Sequence, residues 1–319
     1  MALIPLNPPA PQSLLHPFAR CTVWRGPAVL KLWHLTSLDA PTVAVVWACA
    51  FAWAARVRVA PAMLAVLALV VWAIYVFDRL LDARAGRDDP GRHILQERHW
   101  FHWRHRRAMS ALAGAAAIVA GCMVEQRLAM PALRRDSLMG LATLAYFSGV
   151  HGRGLRSGWI ARVMHWLGRV VSREVVVGVI FSAGCMLPVL PSAGSGVVHI
   201  ALRMAAPALT FAGLAWLNLA AIGRWEAWAA GSLRDTGVAR LGLRMARICA
   251  LCGLAAAIVD LRVAMLLAAA ALSALMLAGL DARRERMDAV TLRAAADLML
   301  LTPVLLTPIV LAMALDSLR

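Results

Sequence analysis

Residues 59–93 read VAPAMLAVLALVVWAIYVFDRLLDARAGRDDPGRH, and this stretch decides how the rest of the chain is read. Positions 59–77 carry no charge and are long enough, as a helix, to cross the hydrocarbon layer of a bilayer. The run then breaks abruptly into acids and arginines. Asp78 and Asp82 are four residues apart, so on a helix both carboxylates share one face. Asp88 and Asp89 follow, with Arg79, Arg84, Arg87 and Arg92 interleaved.

Working outward, eight further apolar windows appear, at roughly 40–57, 108–124, 137–151, 175–191, 204–222, 246–260, 262–280 and 297–315. The fourth and seventh are the shortest, and Arg134 and Arg135 could lengthen the fourth by snorkelling. None alternates apolar with polar residues, which argues against a membrane β-barrel. With 319 residues, 61% hydrophobic and 16% charged, the chain is too apolar for a small soluble enzyme or a disordered segment. Six cysteines do not make a disulfide scaffold, and the Cys249-x-x-Cys252 pair sits in an apolar helix. Small packing residues are the plainer reading there; a metal or redox pair is the alternative. The expected fold is an all-α polytopic membrane bundle.

The formal charge of +16 could suggest nucleic acid. However, the cations come in short runs between apolar windows, so no nucleic-acid partner is expected. Twenty-five Lys and Arg fall in the N-terminal segment and the even-numbered loops, against eight on the other side. The positive-inside rule then puts the N-terminus and the even loops in the cytoplasm and favours nine spans. Residues 1–35 read as a cytoplasmic tail, with prolines where a cleaved signal would need an unbroken apolar core. Residues 36–319 read as one transmembrane domain, most simply in a bacterial inner membrane.

Paired carboxylates at a membrane edge suit Mg²⁺, which binds through one or two carboxylates plus substrate phosphates, and arginines suit the phosphate oxygens. The competing reading is a solvated helix end with ordinary ion pairs. Window six ends in LAWLNLAAIGRWEAWAAG, bringing Asn218, Arg224 and Glu226 to the same side, flanked by Trp216, Trp225 and Trp228. The tryptophans read as interfacial anchors. Glu226 is either a local partner of Arg224 or a second acidic arm. Window five opens at Arg173 and Glu174, where an acid is also favoured simply by the helix dipole. In the second loop, LQERHWFHWRHRR spaces His99, His102 and His105 by three. A surface-lying basic helix, acting as a lid or binding anionic lipid, fits this better than a metal site.

These residues resemble the UbiA superfamily of intramembrane prenyltransferases. Asp78, Arg79 and Asp82 match the DRxxD core of its first motif at the end of the second helix, and DARAGR continues in its style. Ile74 and Tyr75 stand where the family has Asn and Asp, and NLAAIGRWE offers Asn218 and Glu226 in place of the second aspartate cluster. The resemblance implies nine helices around a central cavity open to the cytoplasm and a prenyl group transferred from a polyprenyl diphosphate to an aromatic or lipid acceptor. It implies Mg²⁺ held by Asp78, Asp82 and Glu226, which would also be the catalytic carboxylates. The diphosphate would be met by Arg79, Arg84, Arg173, Glu174, Asn218 and Arg224. The alternatives are an inactive relative that binds an isoprenoid or a partner protein, and a transporter. The many Ala and Gly residues of windows three, seven and eight would allow close helix packing.

Overall fold

The computed structural model describes residues 24–88, 96–127, 130–151, 172–190 and 195–308. Among the described residues the chain is all-helical. Its α-helices are α1 (Ala28–Leu35), α2 (Asp39–Ala55), α3 (Pro61–Asp88), α4 (Glu97–Arg104), α5 (Arg106–Arg127), α6 (Met130–His151), α7 (Arg173–Met186), α8 (Ser195–Ala229), α9 (Val238–Ala257), α10 (Leu261–Arg283) and α11 (Ala289–Met299). Four segments are long and apolar enough to cross a membrane: Pro61–Asp88, Arg106–Gln126, Gly196–Ala229 and Leu261–Arg286. A fifth candidate is the pair α1 and α2, bent by 88° at the intervening break. Ile118, Leu202, Leu209, Leu251, Leu254 and Ile258 are exposed on helix flanks, as side chains facing lipid would be.

Local chemistry sets the helix ends. Pro61 opens α3, where its missing N–H costs nothing. Asp260 caps α10 by accepting from the Arg262 N–H, and Asp288 caps α11 by accepting from Val290 and Thr291. Between α1 and α2 the chain turns at Ser37, a non-glycine residue held at φ 62°, and Pro41 sits in the first turn of α2. At its end α2 stops at Arg56, also left-handed.

Small residues govern the tightest packing. Val238, Gly242, Ala246, Cys249 and Gly253 form the buried stripe of α9 against α10. A Cβ on Gly242 would lie 2.8 Å from the Ala274 carbonyl oxygen, and one on Gly178 of α7 would lie 2.7 Å from that of Ala212 in α8. The expectation of close packing therefore holds for windows seven and eight. In window three the alanines Ala113, Ala116 and Ala120 are buried, while a Cβ on Gly114 or Gly121 would meet nothing among the described residues.

Two further expectations change. The segment 24–35 is not a free tail. Trp24 pairs with the backbone on either side of Met287, and the Gly26 N–H donates to Thr291 Oγ1 at 2.9 Å. α1 then buries His34 and Leu35. In addition, the space between α2, α7 and α8 is filled by aromatic side chains. Trp47 stacks on Phe211 at 4.1 Å, and Phe51 and Phe181 close around them. At this level the described helices enclose a packed aromatic core.

Candidate functional site

α3 and α8 are both longer than the ~20 residues a bilayer requires, so their C-terminal turns can project past the apolar layer. These are the turns that carry Asp78, Arg79 and Asp82 on α3, and Arg224 and Glu226 on α8. α4 packs against α3, α1 and α5. Arg98 of α4 is within electrostatic reach of Asp82 and of Glu226. Burial, together with the Arg293 and Arg79 charges, pulls Arg98 down to about 10, while Glu226 and Asp82 oppose that fall.

These side chains have different surroundings. Asp78 is partly exposed, with its Oδ1 3.8 Å from the Arg173 guanidinium at the start of α7. Glu174 stands beside Arg173 in the same first turn. Glu226 is ion-paired, but with Arg293 of α11 and not with its neighbour Arg224. Arg224 instead donates to the Thr236 carbonyl at 2.9 Å, fastening the turn between α8 and α9. Arg84 is exposed and 4.0 Å from Asp88. Asp89 and Arg92 lie outside the described residues.

Arg79 points the opposite way from Asp78, into the bundle. One guanidinium nitrogen donates to the His34 carbonyl at 2.7 Å, and the other lies 3.3 Å from Asp39 Oδ2. Asp39 is 2% exposed. Its Oδ1 caps its own helix through the Ala40 N–H, and its Oδ2 accepts from His34 Nδ1 at 2.7 Å. The same imidazole nitrogen is 3.5 Å from Asp297 Oδ2 of α11. Asn218 of α8 donates Nδ2 to Asp297 Oδ1 at 2.8 Å. His34, Asp39, Asp297 and Arg293 were not singled out from the sequence. Asp39 and Asp297 sit at the edges of apolar windows, where an acid reads as a helix end. The one usable signal was Leu35-Thr-Ser-Leu-Asp-Ala-Pro41, a helix start directly after another helical stretch.

α4 closes this polar centre from one side. His99 and His102 are both buried. His102 Nδ1 donates to the Arg98 carbonyl at 2.9 Å, and Nε2 accepts from the Ser37 hydroxyl at 3.2 Å. His99 Nδ1 accepts from the Gln96 N–H in a reciprocal cap. The imidazoles act as hydrogen-bonding wedges. Desolvation holds His102 down to about 4 and His99 to about 3, with Arg98 and Arg79 among the cations that add to it.

The tryptophans of window six also differ from expectation. Trp225 is buried and donates to Asp281 Oδ1 at 2.8 Å, and Thr236 donates to the same oxygen at 2.7 Å. Trp228 lies under the Arg284 guanidinium, 4.8 Å from the ring centroid. These rings tie α8 to the turns of α9 and α10. Trp216 packs against the core. Cys249 is buried on α9 and Cys252 exposed, both as free thiols.

No family model matches the chain, and no curated protein or solved structure is significantly similar to it.

Proposed function

We propose that the chain is an integral membrane protein of the UbiA-like prenyltransferase type, acting on a polyprenyl diphosphate at the ends of α3 and α8. The carrying observation is the Asp78/Asp82 pair at the end of an apolar helix, with the Arg173 guanidinium 3.8 Å from Asp78 and Arg98 within electrostatic reach of Asp82 and Glu226. Nine spans, a cytoplasmic N-terminus and a bacterial inner membrane complete the reading, on the strength of the charge asymmetry. The amphiphile's two halves have matching surroundings. Arg173 and Arg98 supply cations beside Asp78 and Asp82, while Phe77 and Leu81 are large apolar side chains exposed on the same turns. Because α2, α7 and α8 are packed solid, the prenyl tail runs along the α3 flank, open to lipid.

Asp78 and Asp82 fit one Mg²⁺ as a carboxylate pair on a single helix face. Glu226 does not fit a second pole, because its carboxylate is already committed to Arg293. Mg²⁺, when bound, would stabilise the charge that develops on the departing diphosphate. Arg173 and Arg98 orient the phosphates, and the exposed acids fix the head group at the mouth. The allylic carbon–oxygen bond breaks, the acceptor bonds to that carbon, and the acceptor then loses a proton.

The Glu226–Arg293 pair favours a second reading, an isoprenoid-binding relative without catalysis. Membranes holding the protein, supplied with Mg²⁺, a radiolabelled prenyl diphosphate and an aromatic acceptor, separate the two. The enzyme gives labelled product that disappears in the Asp78→Ala, Asp82→Ala double variant. Prenyl diphosphate binding that is indifferent to Mg²⁺, with no product, supports the binding protein.

A further inference from the structure

The polar centre beneath α4 is separate from the exposed acids of α3, and it has the composition of a transition-metal site. His34, Asp39 and Asp297 each offer one ligand atom, and these atoms all lie within 4.8 Å of one another. The separations from His34 Nδ1 are 2.7 Å to Asp39 Oδ2 and 3.5 Å to Asp297 Oδ2. Neighbouring ligands of an ion bound at ~2.1 Å stand roughly 3 Å apart, so these atoms are already at the spacing of one coordination shell.

A second observation is independent of the acids. Asn218 is 7% exposed, and its Oδ1 is buried with no hydrogen-bond partner. The amide is fixed by its other end, since Nδ2 donates to Asp297 Oδ1. A carbonyl oxygen without a partner therefore sits on the same amide that binds a carboxylate of the cluster, and a cation held there would satisfy it. Buried polar atoms left this way are uncommon and call for a missing partner. Two enclosed carboxylates this close repel each other, and a cation between them relieves that repulsion.

We propose that His34 Nδ1, Asp39 Oδ2, Asp297 Oδ2 and Asn218 Oδ1 bind one divalent first-row transition ion, of the class of Mn²⁺, Fe²⁺ or Zn²⁺, with the Nδ1 proton that bonds Asp39 in the metal-free site released to solvent on binding. One imidazole nitrogen among oxygen donors suits these ions better than Mg²⁺ or Ca²⁺, which take oxygen alone, or than thiophilic ions. Arg79 is the positioning residue. It grips Asp39 and the last carbonyl of α1, fixing the angle at which the bent pair presents His34 and Asp39. The site stands apart from the prenyl diphosphate reading and does not depend on it.

The test uses the full-length protein, purified in detergent from cells supplied with Mn, Fe and Zn, with metal content read by mass spectrometry. About one transition ion per chain is expected. After chelation, Co²⁺ should restore a protein-bound visible spectrum, and bound Mn²⁺ should show spin-echo modulation from a single imidazole nitrogen. His34→Gln should weaken Co²⁺ binding at least about tenfold and abolish that nitrogen signal. Asp78→Asn with Asp82→Asn should change neither. Wild-type protein with no stoichiometric ion and no Co²⁺ spectrum would overturn the proposal and leave the cluster neutralised by a proton. Loss of the ion in the α3 double variant, with its retention in His34→Gln, would overturn it equally. Because the spectra are read on wild-type protein, a variant that fails to fold does not spare the proposal.

Discussion

Two groups of acids lie close together at one end of this bundle, and they were assembled in opposite ways. Asp78 and Asp82 come from one helix, four residues apart, and remain partly open to solvent. His34, Asp39 and Asp297 come from three helices and are largely enclosed, with Arg79 and Asn218 reaching in from two more. Adjacent residues of α3 serve both groups: Asp78 faces Arg173 outside, and Arg79 faces Asp39 inside. A helix turn of 100° per residue is enough to separate a site open to a ligand from one that holds the fold. Charges in the first group exchange protein partners for water at little cost. Charges in the second cannot.

The largest expected effect follows from that asymmetry. Arg79→Ala leaves the buried Asp39 carboxylate with His34 and its helix cap but without its guanidinium, and breaking a buried pair from one side costs about 3–5 kcal/mol. A large fall in thermal midpoint in detergent is expected for Arg79→Ala. Asp78→Asn, one residue away, should stay within about 1 kcal/mol of the wild type, as exposed pairs do. Equal losses in the two variants would erase the distinction between the groups.

Acid should loosen the enclosed group before the exposed one, through α4. His102 and His99 have folded pKa values of about 4 and about 3, below the 6.5 of an unfolded histidine. Between those values the unfolded segment binds protons that the folded one refuses. The stabilisation is therefore complete above pH 6.5 and is lost as pH falls toward 4 and then 3. For His102 the full loss is on the order of 3 kcal/mol. Hydrogen exchange of the 97–104 peptide should rise steeply from pH 7 to pH 4.5, after correction for intrinsic rates. His102→Gln should remove much of that pH dependence. A flat profile in the wild type would mean that α4 does not clamp the polar centre through neutral imidazoles.

The exposed group was legible in the sequence because it is a one-helix feature: an apolar run, then acids at i and i+4. The all-helical class was legible for the same reason, and each apolar window overlaps a helix among the described residues. Window nine is the least complete match, since α11 ends at Met299, a 3₁₀ turn follows, and residues beyond 308 lie outside the described part. The enclosed group required knowing which helices touch. Nothing in the periodicity of window nine says that Asp297 meets a histidine 263 positions earlier, and His34 falls in the segment that reads as a tail. Trp225 shows the same blindness. At a membrane edge a tryptophan reads as an anchor, and only the fold reveals Asp281 as its acceptor. Arg224 reads as a phosphate ligand from the family resemblance, and Arg79 from its place among interleaved arginines. Their actual partners, a carbonyl of the next turn and an acid of another helix, are set by tertiary packing.

Arg84 gives the smallest expected effect and the finest test of the exposed group. Its side chain is 75% exposed, and its partner Asp88 is nearly as open at 4.0 Å. Such a pair is screened by salt and offset by the entropy of two long side chains, so Arg84→Ala should alter stability by no more than about 0.5 kcal/mol. The same reasoning limits its share in holding a diphosphate head group. A cation standing in bulk water adds long-range attraction without a desolvated contact, and about 0.5 kcal/mol corresponds to a two- to threefold change in affinity. Prenyl diphosphate binding to proteoliposomes should therefore weaken about threefold or less in Arg84→Ala at 0.15 M salt, and the difference should vanish at 1 M. A loss of tenfold or more that survives high salt would show Arg84 folding over a bound ligand. The outer acids would then belong to a closed site, as enclosed when occupied as the inner ones are already.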